Sequence, residues 1–236
     1  MGDINNNFYS ILNIDSNKWN LTFKKQNHVS NTLFSSICES KLLSGSYILT
    51  KTGGVNHNSL VFFCNSITPI KNILDNSSTN FNSGYYNLAM LFIKCLVKQQ
   101  HFLQKQNNAM GFIDINLDHV YIIDNNVAIY LNPSHIHPIQ NLKNSNLFSL
   151  HKPFYCNLFS SPDLSIIDSL PSSISVKTYN YSLSAAAFFI VFSRRFEIND
   201  GKCDRCLDKI MNTDLYWILT NYLKNYENAS SSLIVI

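Results

Sequence analysis

Charged side chains are scarce in this chain: Asp, Glu, Lys and Arg together make up 14% of its 236 residues. Glycine (7) and proline (6) are scarce too, which excludes collagen-like and Gly/Pro-rich low-complexity classes. No apolar run reaches the roughly 18–20 residues that cross a bilayer; the longest, Ala185 to Phe192, is far shorter, so no membrane span is expected. The opening MGDINNNF lacks the apolar core of a signal peptide, and Asn6 stands where an acylation signal after Gly2 carries Ser or Thr. The net charge of +3 is dispersed. Its longest basic runs, Lys24–Lys25 and Arg194–Arg195, build no stripe able to track a phosphate backbone, so nucleic acid is not an expected partner.

Six cysteines are present and only Cys203 and Cys206 are close, a pattern of free thiols in a reducing compartment, with the cytoplasm as the expected location. The pair in KCDRC has metal-ligand spacing, and His135 with His137 could in principle complete a zinc site with it. One CxxC and two histidines of a different loop fall short of a zinc signature, so no metal is expected.

Against these absences stand 45% hydrophobic and 13% aromatic residues, enough for a sizeable core without staples. In KWNLTFKK, Trp19, Leu21 and Phe23 alternate with polar residues, as in a strand buried on one face. Leu33, Phe34, Ile37 and Leu42 follow at helical steps over 30–43, with Ser30 or Asn31 as cap and Gly45 as stop. GSYILTKT and SLVFFCN, parted by GGVNHN, read as a hairpin. Tyr86, Met90, Ile93, Val97 and Leu103 predict a long helix over 86–106. A second hairpin follows, VYII and VAIYL around Asp124-Asn125-Asn126, and then a loop of some thirty residues. SLSAAAFFIVF is apolar around its circumference and predicts a helix buried on all sides, and Cys206 to Leu223 predicts one or two terminal helices.

This order, with short patterns spread over 19–236, resembles the protein-kinase fold: strand, helix and hairpin in a small lobe, then a connector, a long helix, a catalytic-loop hairpin, an activation segment and a buried central helix. The resemblance implies an α+β, two-lobe architecture: a reduced N-terminal lobe over 1–64, a hinge over 65–84 and a mainly helical C-terminal lobe over 85–236. FIDINLDH is similar to the catalytic loop, with Asp114 at the position that accepts the substrate hydroxyl proton. Asn116 replaces the loop's basic residue, and His119 the asparagine that holds a second magnesium. The alternative for Asp114 is a loop carboxylate that satisfies nearby backbone N–H groups. Where the family has Asp-Phe-Gly, this chain has Asn132-Pro133-Ser134, whose neutral amide is a poor magnesium ligand. No glycine-rich phosphate loop precedes Trp19. Lys24, with Glu39 as ion-pair partner, matches the degenerate nucleotide site by order, and a solvated surface pair is the other reading. Ser161-Pro162-Asp163 is similar to Ala-Pro-Glu and Tyr181-Ser182-Leu183 to the start of the central helix, while the terminal helices offer Asp163 no arginine.

The asparagine-rich composition fits an AT-rich genome, and the narrower resemblance is to kinase-like proteins of large nucleocytoplasmic DNA viruses, which would place the protein in host cytoplasm or virion. The resemblance and its gaps lead to a catalytically inactive kinase-like protein, a pseudokinase, that acts as a scaffold or regulator for a protein partner and needs no cofactor. Two alternatives stand beside it: a divergent active serine/threonine kinase using ATP and magnesium, and a structural or assembly protein on an unrelated α+β fold.

Overall fold

The structure, a computed structural model, describes residues 3–24, 27–40, 42–43, 45–52, 55–75, 83–105, 108–142, 145–230 and 234. Its first layer is an antiparallel sheet of β1 (Ile4–Asn5), β2 (Tyr9–Asp15), β3 (Lys18–Phe23), β4 (Gly45–Thr52) and β5 (Val55–Phe63), in the order β1-β2-β3-β5-β4. The alternation in β3 works as expected: Trp19, Leu21 and Phe23 are buried, opposite Phe62 and Leu60 of β5. Helix α1 (His28–Glu39) buries Leu33 and Ile37 fully in the core, and its Phe34 meets Phe23 of this face edge-on. It starts earlier than its apolar spacing implied. Its cap is Asn27, whose Oδ1 accepts from the Ser30 N–H at 2.8 Å, because a cap belongs before the first turn rather than before the first apolar residue. Strand β2 was missed: its outer half, Leu12 to Asp15, is exposed, so only Tyr9 and Ile11 signal a buried face.

The connector carries β6 (Ile67–Pro69) and α2 (Ile70–Asp75). Strand β6 pairs with β8 (Val120–Ile123), which pairs with β9 (Val127–Tyr130). The β8–β9 turn places Asp124 and Asn125 at φ of 49° and 56°, the left-handed region that these residue types tolerate. Asp124 Oδ1 accepts from the N–H groups of Asn65 and Ser66, both at 2.8 Å, and so fastens the connector to the hairpin tip.

Two helices form the body of the second lobe: α3 (Ser83–Lys105) and α5 (Lys177–Phe192) pack on each other, and the Tyr179 hydroxyl donates to the Leu96 carbonyl at 2.9 Å. Helix α5 is buried around nearly its whole circumference, as its sequence implied. Two buried amides on α3 act as backbone partners: Gln99 exchanges hydrogen bonds with Tyr130, and Gln100 accepts from the N–H of Phe112 at 2.8 Å on β7 (Met110–Phe112). α4 (Pro162–Ser165), α6 (Gly201–Asp208), α7 (Asp214–Leu219) and a π-helical turn (Thr220–Lys224) complete the lobe.

The thirty-residue loop in fact carries two strands of a sheet. β10 (Ile136–Leu142) and β11 (Ser145–Leu150) form a hairpin flanked by β7 and by β12 (Ser172–Ser175), in the order β12-β11-β10-β7. Pro138 and the Asn-rich tip obscured it, yet Ile136, Ile139, Phe148 and Leu150 are buried. β7 needs its glycine: a Cβ on Gly111 would stand 2.5 Å from Gln100 Nε2 and 2.9 Å from Ile139 Cδ1.

Candidate functional site

Residues 113–119 link β7 to β8 and hold Asp114, which is fully buried. Its Oδ1 accepts from the N–H of Ile115 at 2.8 Å and from the hydroxyl of Ser182 on α5. Its Oδ2 accepts from the Asn157 side-chain amide at 2.8 Å and from the hydroxyl of Ser160. Ser182 Oγ also accepts from the Ile115 N–H at 2.8 Å, and Asn157 reaches the Ile115 carbonyl at 3.0 Å. One carboxylate therefore ties together the loop, the segment before α4 and the central helix. Burial raises its pKa to about 6, against the opposing pull of the bonds from Ser160, Ser182 and Ile115.

His135 lies behind this loop, its Nδ1 3.1 Å from the Asp114 carbonyl oxygen and 2.8 Å from the Tyr130 hydroxyl. The Tyr130 oxygen also accepts from the N–H of Asn116. Phe154 packs its ring against both His135 and His137, and burial lowers both imidazoles to about 4.

Asn132 is 2% exposed and acts as a helix cap: its Oδ1 accepts from the N–H of Ser134 at 3.1 Å and from the Ser134 hydroxyl, opening a 3-10 turn with Pro133 at its first position. His119 packs under β2, its Nδ1 3.3 Å from the Tyr9 hydroxyl, which is itself 2.7 Å from the hydroxyl of Tyr121. Lys24 is the exposed residue just past β3, with its N–H bonded to the Phe8 carbonyl. Glu39 ends α1; its side chain, and with it the Lys24–Glu39 pairing, lies outside the described residues.

Asp163 receives a hydrogen bond from the Tyr226 hydroxyl at 2.7 Å, so a tyrosine of the terminal segment stands where the sequence offered no arginine. Cys203 is buried on α6 with its Sγ 3.6 Å from both the Arg195 carbonyl and Asp200 Oδ2. Among the described residues no three His, Cys, Asp or Glu side chains gather as a metal-holding group. Asn157 and Ser160 escaped sequence reasoning entirely. Ser182 was noticed only as part of the Tyr-Ser-Leu pattern, not as a partner of Asp114.

No protein-family model matches the chain, and no curated protein matches it. Solved structures do. The PK-1 kinase of Cydia pomonella granulovirus superposes with a TM-score of 0.57 at 12% identity, covering 98% of this chain and 89% of its own. A rhoptry kinase from Toxoplasma gondii gives a TM-score of 0.52 at 10% identity, covering 96% and 72%. The fold is protein-kinase-like. In this frame the sheet of β1 to β5 with α1 is the N-terminal lobe of a kinase-like pair, and α3, α5 and the terminal helices are the helical C-terminal lobe.

Proposed function

We propose that this protein is a catalytically inactive kinase-like scaffold or regulator that binds a protein partner in a reducing, cytoplasmic setting. The observation that supports it most is the enclosure of Asp114. A general base must lie within hydrogen-bond reach of the hydroxyl it deprotonates. Here both carboxylate oxygens are taken by four donors of the protein itself and no surface of the side chain is exposed.

Magnesium-nucleotide finds few fitting groups. Asn132 is neutral and spends its oxygen on Ser134, His119 faces Tyr9, and Asp114 is the buried hub just described. Phosphoryl transfer depends on positioned metal and charge, and losing each such contact costs about two to three decades in rate. The scattered spacing of the six cysteines supports the reducing setting.

A second reading, a divergent active kinase, draws on the pKa of Asp114, raised to about 6, where a general base works well. It requires residues 157–160 to withdraw from the carboxylate.

Thermal melting with and without ATP and magnesium decides between them. A bound ligand at 100 times its dissociation constant adds about 2.7 kcal/mol, a shift of several degrees. The scaffold reading expects no shift and no phosphate transfer. A magnesium-dependent shift, with transfer abolished in Asp114→Ala, would establish the active kinase in its place.

A further inference from the structure

A column of rings crosses from one lobe to the other. It starts at Phe34 on α1, passes to Phe23 on β3 with centroids 6.3 Å apart, and from there to Tyr9 on β2 at 6.2 Å. Tyr9 then meets two rings of the other lobe edge-on, Tyr121 at 5.9 Å and His119 at 6.3 Å, while Phe8 covers His119 from the side at 6.1 Å. Tyr9 is fully buried and Tyr121 is 4% exposed. The hydroxyls join as well: a chain in which Tyr121 donates to Tyr9 and Tyr9 to His119 Nδ1 satisfies all three groups, at 2.7 and 3.3 Å. Burial and the neighbouring Tyr121 push the Tyr9 pKa upward, which keeps its donor proton in place.

We propose that Tyr9 is a built-in occupant of the cleft between the lobes, a latch that holds them closed without any ligand. Two observations carry it independently. Ring packing of this size is worth more than its buried area alone, and Tyr9 adds directional bonds to both Tyr121 and His119 across the same boundary. A lobe pair joined only through its connector would open and close. This pair is also pinned through Tyr9 on β2, so its outer surface presents a fixed shape to a partner. The inference stands on cleft contacts and does not depend on whether Asp114 is inert.

The test uses Tyr9→Ala and Tyr9→Phe in the full chain, read by melting temperature and by amide hydrogen exchange. Tyr9→Ala should lower the melting temperature by roughly 10 °C. It should also speed exchange about tenfold or more at residues 117–123 of the opposite lobe. Millimolar p-cresol, which replaces the missing side chain, should recover part of both in this variant and neither in wild type. Tyr9→Phe keeps the ring and should lose only a few degrees. Exchange that quickens in β1 to β3 alone, or p-cresol that acts equally on wild type, would overturn the latch. If Tyr9→Ala does not fold, the cycle of Tyr9→Phe, Tyr121→Phe and the double variant decides: non-additive melting shifts are expected, and strict additivity would overturn the proposal.

Discussion

Asp114 shows how the same residue can be read two ways until its surroundings are known. Its place in the chain marked it as a catalytic-loop aspartate, but its acceptor positions are filled by residues 43, 46 and 68 positions away. Those partners are small and polar and carry no periodic signal, so sequence order could find the carboxylate and not its enclosure. Asp114→Asn turns one acceptor into a donor that faces the Asn157 amide, and the resulting unsatisfied buried group should cost about 1–3 kcal/mol in a melting experiment. Proton linkage adds a second expectation. His135 and His137 titrate near 4 when folded, below the usual 6.5, so their contribution to stability is present above pH 6.5 and lost as the pH falls through about 4. Asp114, raised from 3.8 to about 6, acts oppositely: its contribution is full below 3.8 and lost as the pH rises through 6. At pH 5 the unfolded chain holds about two more protons on the histidines, and the folded chain about one more on Asp114. From these three groups stability should therefore fall by about 1.4 kcal/mol per pH unit of acidification, and about twice as steeply in Asp114→Asn, and His119, lowered by the same kind of burial, adds in the same direction. Urea titrations between pH 4.5 and 6 measure both slopes, and a flat wild-type profile would refute the assignment of the histidines.

Elements with strong periodicity were legible: α3 and α5 and the β8–β9 hairpin stand within a few residues of their expected places. The elements missed are those whose apolar residues are sparse or interrupted. Half of β2 faces solvent with Leu12 and Ile14 exposed, and β10 carries Pro138 at its paired edge with β7. Long-range pairing fixes these strands, not local preference. β7 shows how tight that pairing is. Gln100 spans from α3 to the Phe112 N–H across the position of Gly111, where a side chain has no room beside Ile139 and Phe148. Gly111→Ala should destabilise the protein by about 1–3 kcal/mol through overpacking. A denaturant midpoint that moves down with an unchanged slope is the expected sign, and an unmoved midpoint would mean that Gln100 swings away freely.

Across the whole molecule, kinase-like topology came through in the order of the elements, whereas the means of joining the lobes did not, because contacts between Tyr9 and Tyr121 span 112 residues. Two-lobed chains whose halves touch little can unfold in separate steps. Here several ties cross between the sheet or its connector and the rest, among them the Tyr9 contacts, the Asp124 bonds to Asn65 and Ser66, the pairing of β6 with β8, the Lys71–Asp118 ion pair, and α1 lying against α3. Separating the lobes would expose Tyr9, Tyr121 and the face of α1 at once, and each buried aromatic or aliphatic side chain is worth about 1.5–3 kcal/mol. That sum is comparable to the 5–15 kcal/mol that holds a typical domain together, so neither lobe should outlast the other. Scanning calorimetry should give one transition with equal calorimetric and van't Hoff enthalpies. Tyr9→Ala removes the central tie and should lower that equality or split the peak. Two resolved transitions in the wild-type protein would show instead that the lobes are stable separately and that the contacts between them contribute little.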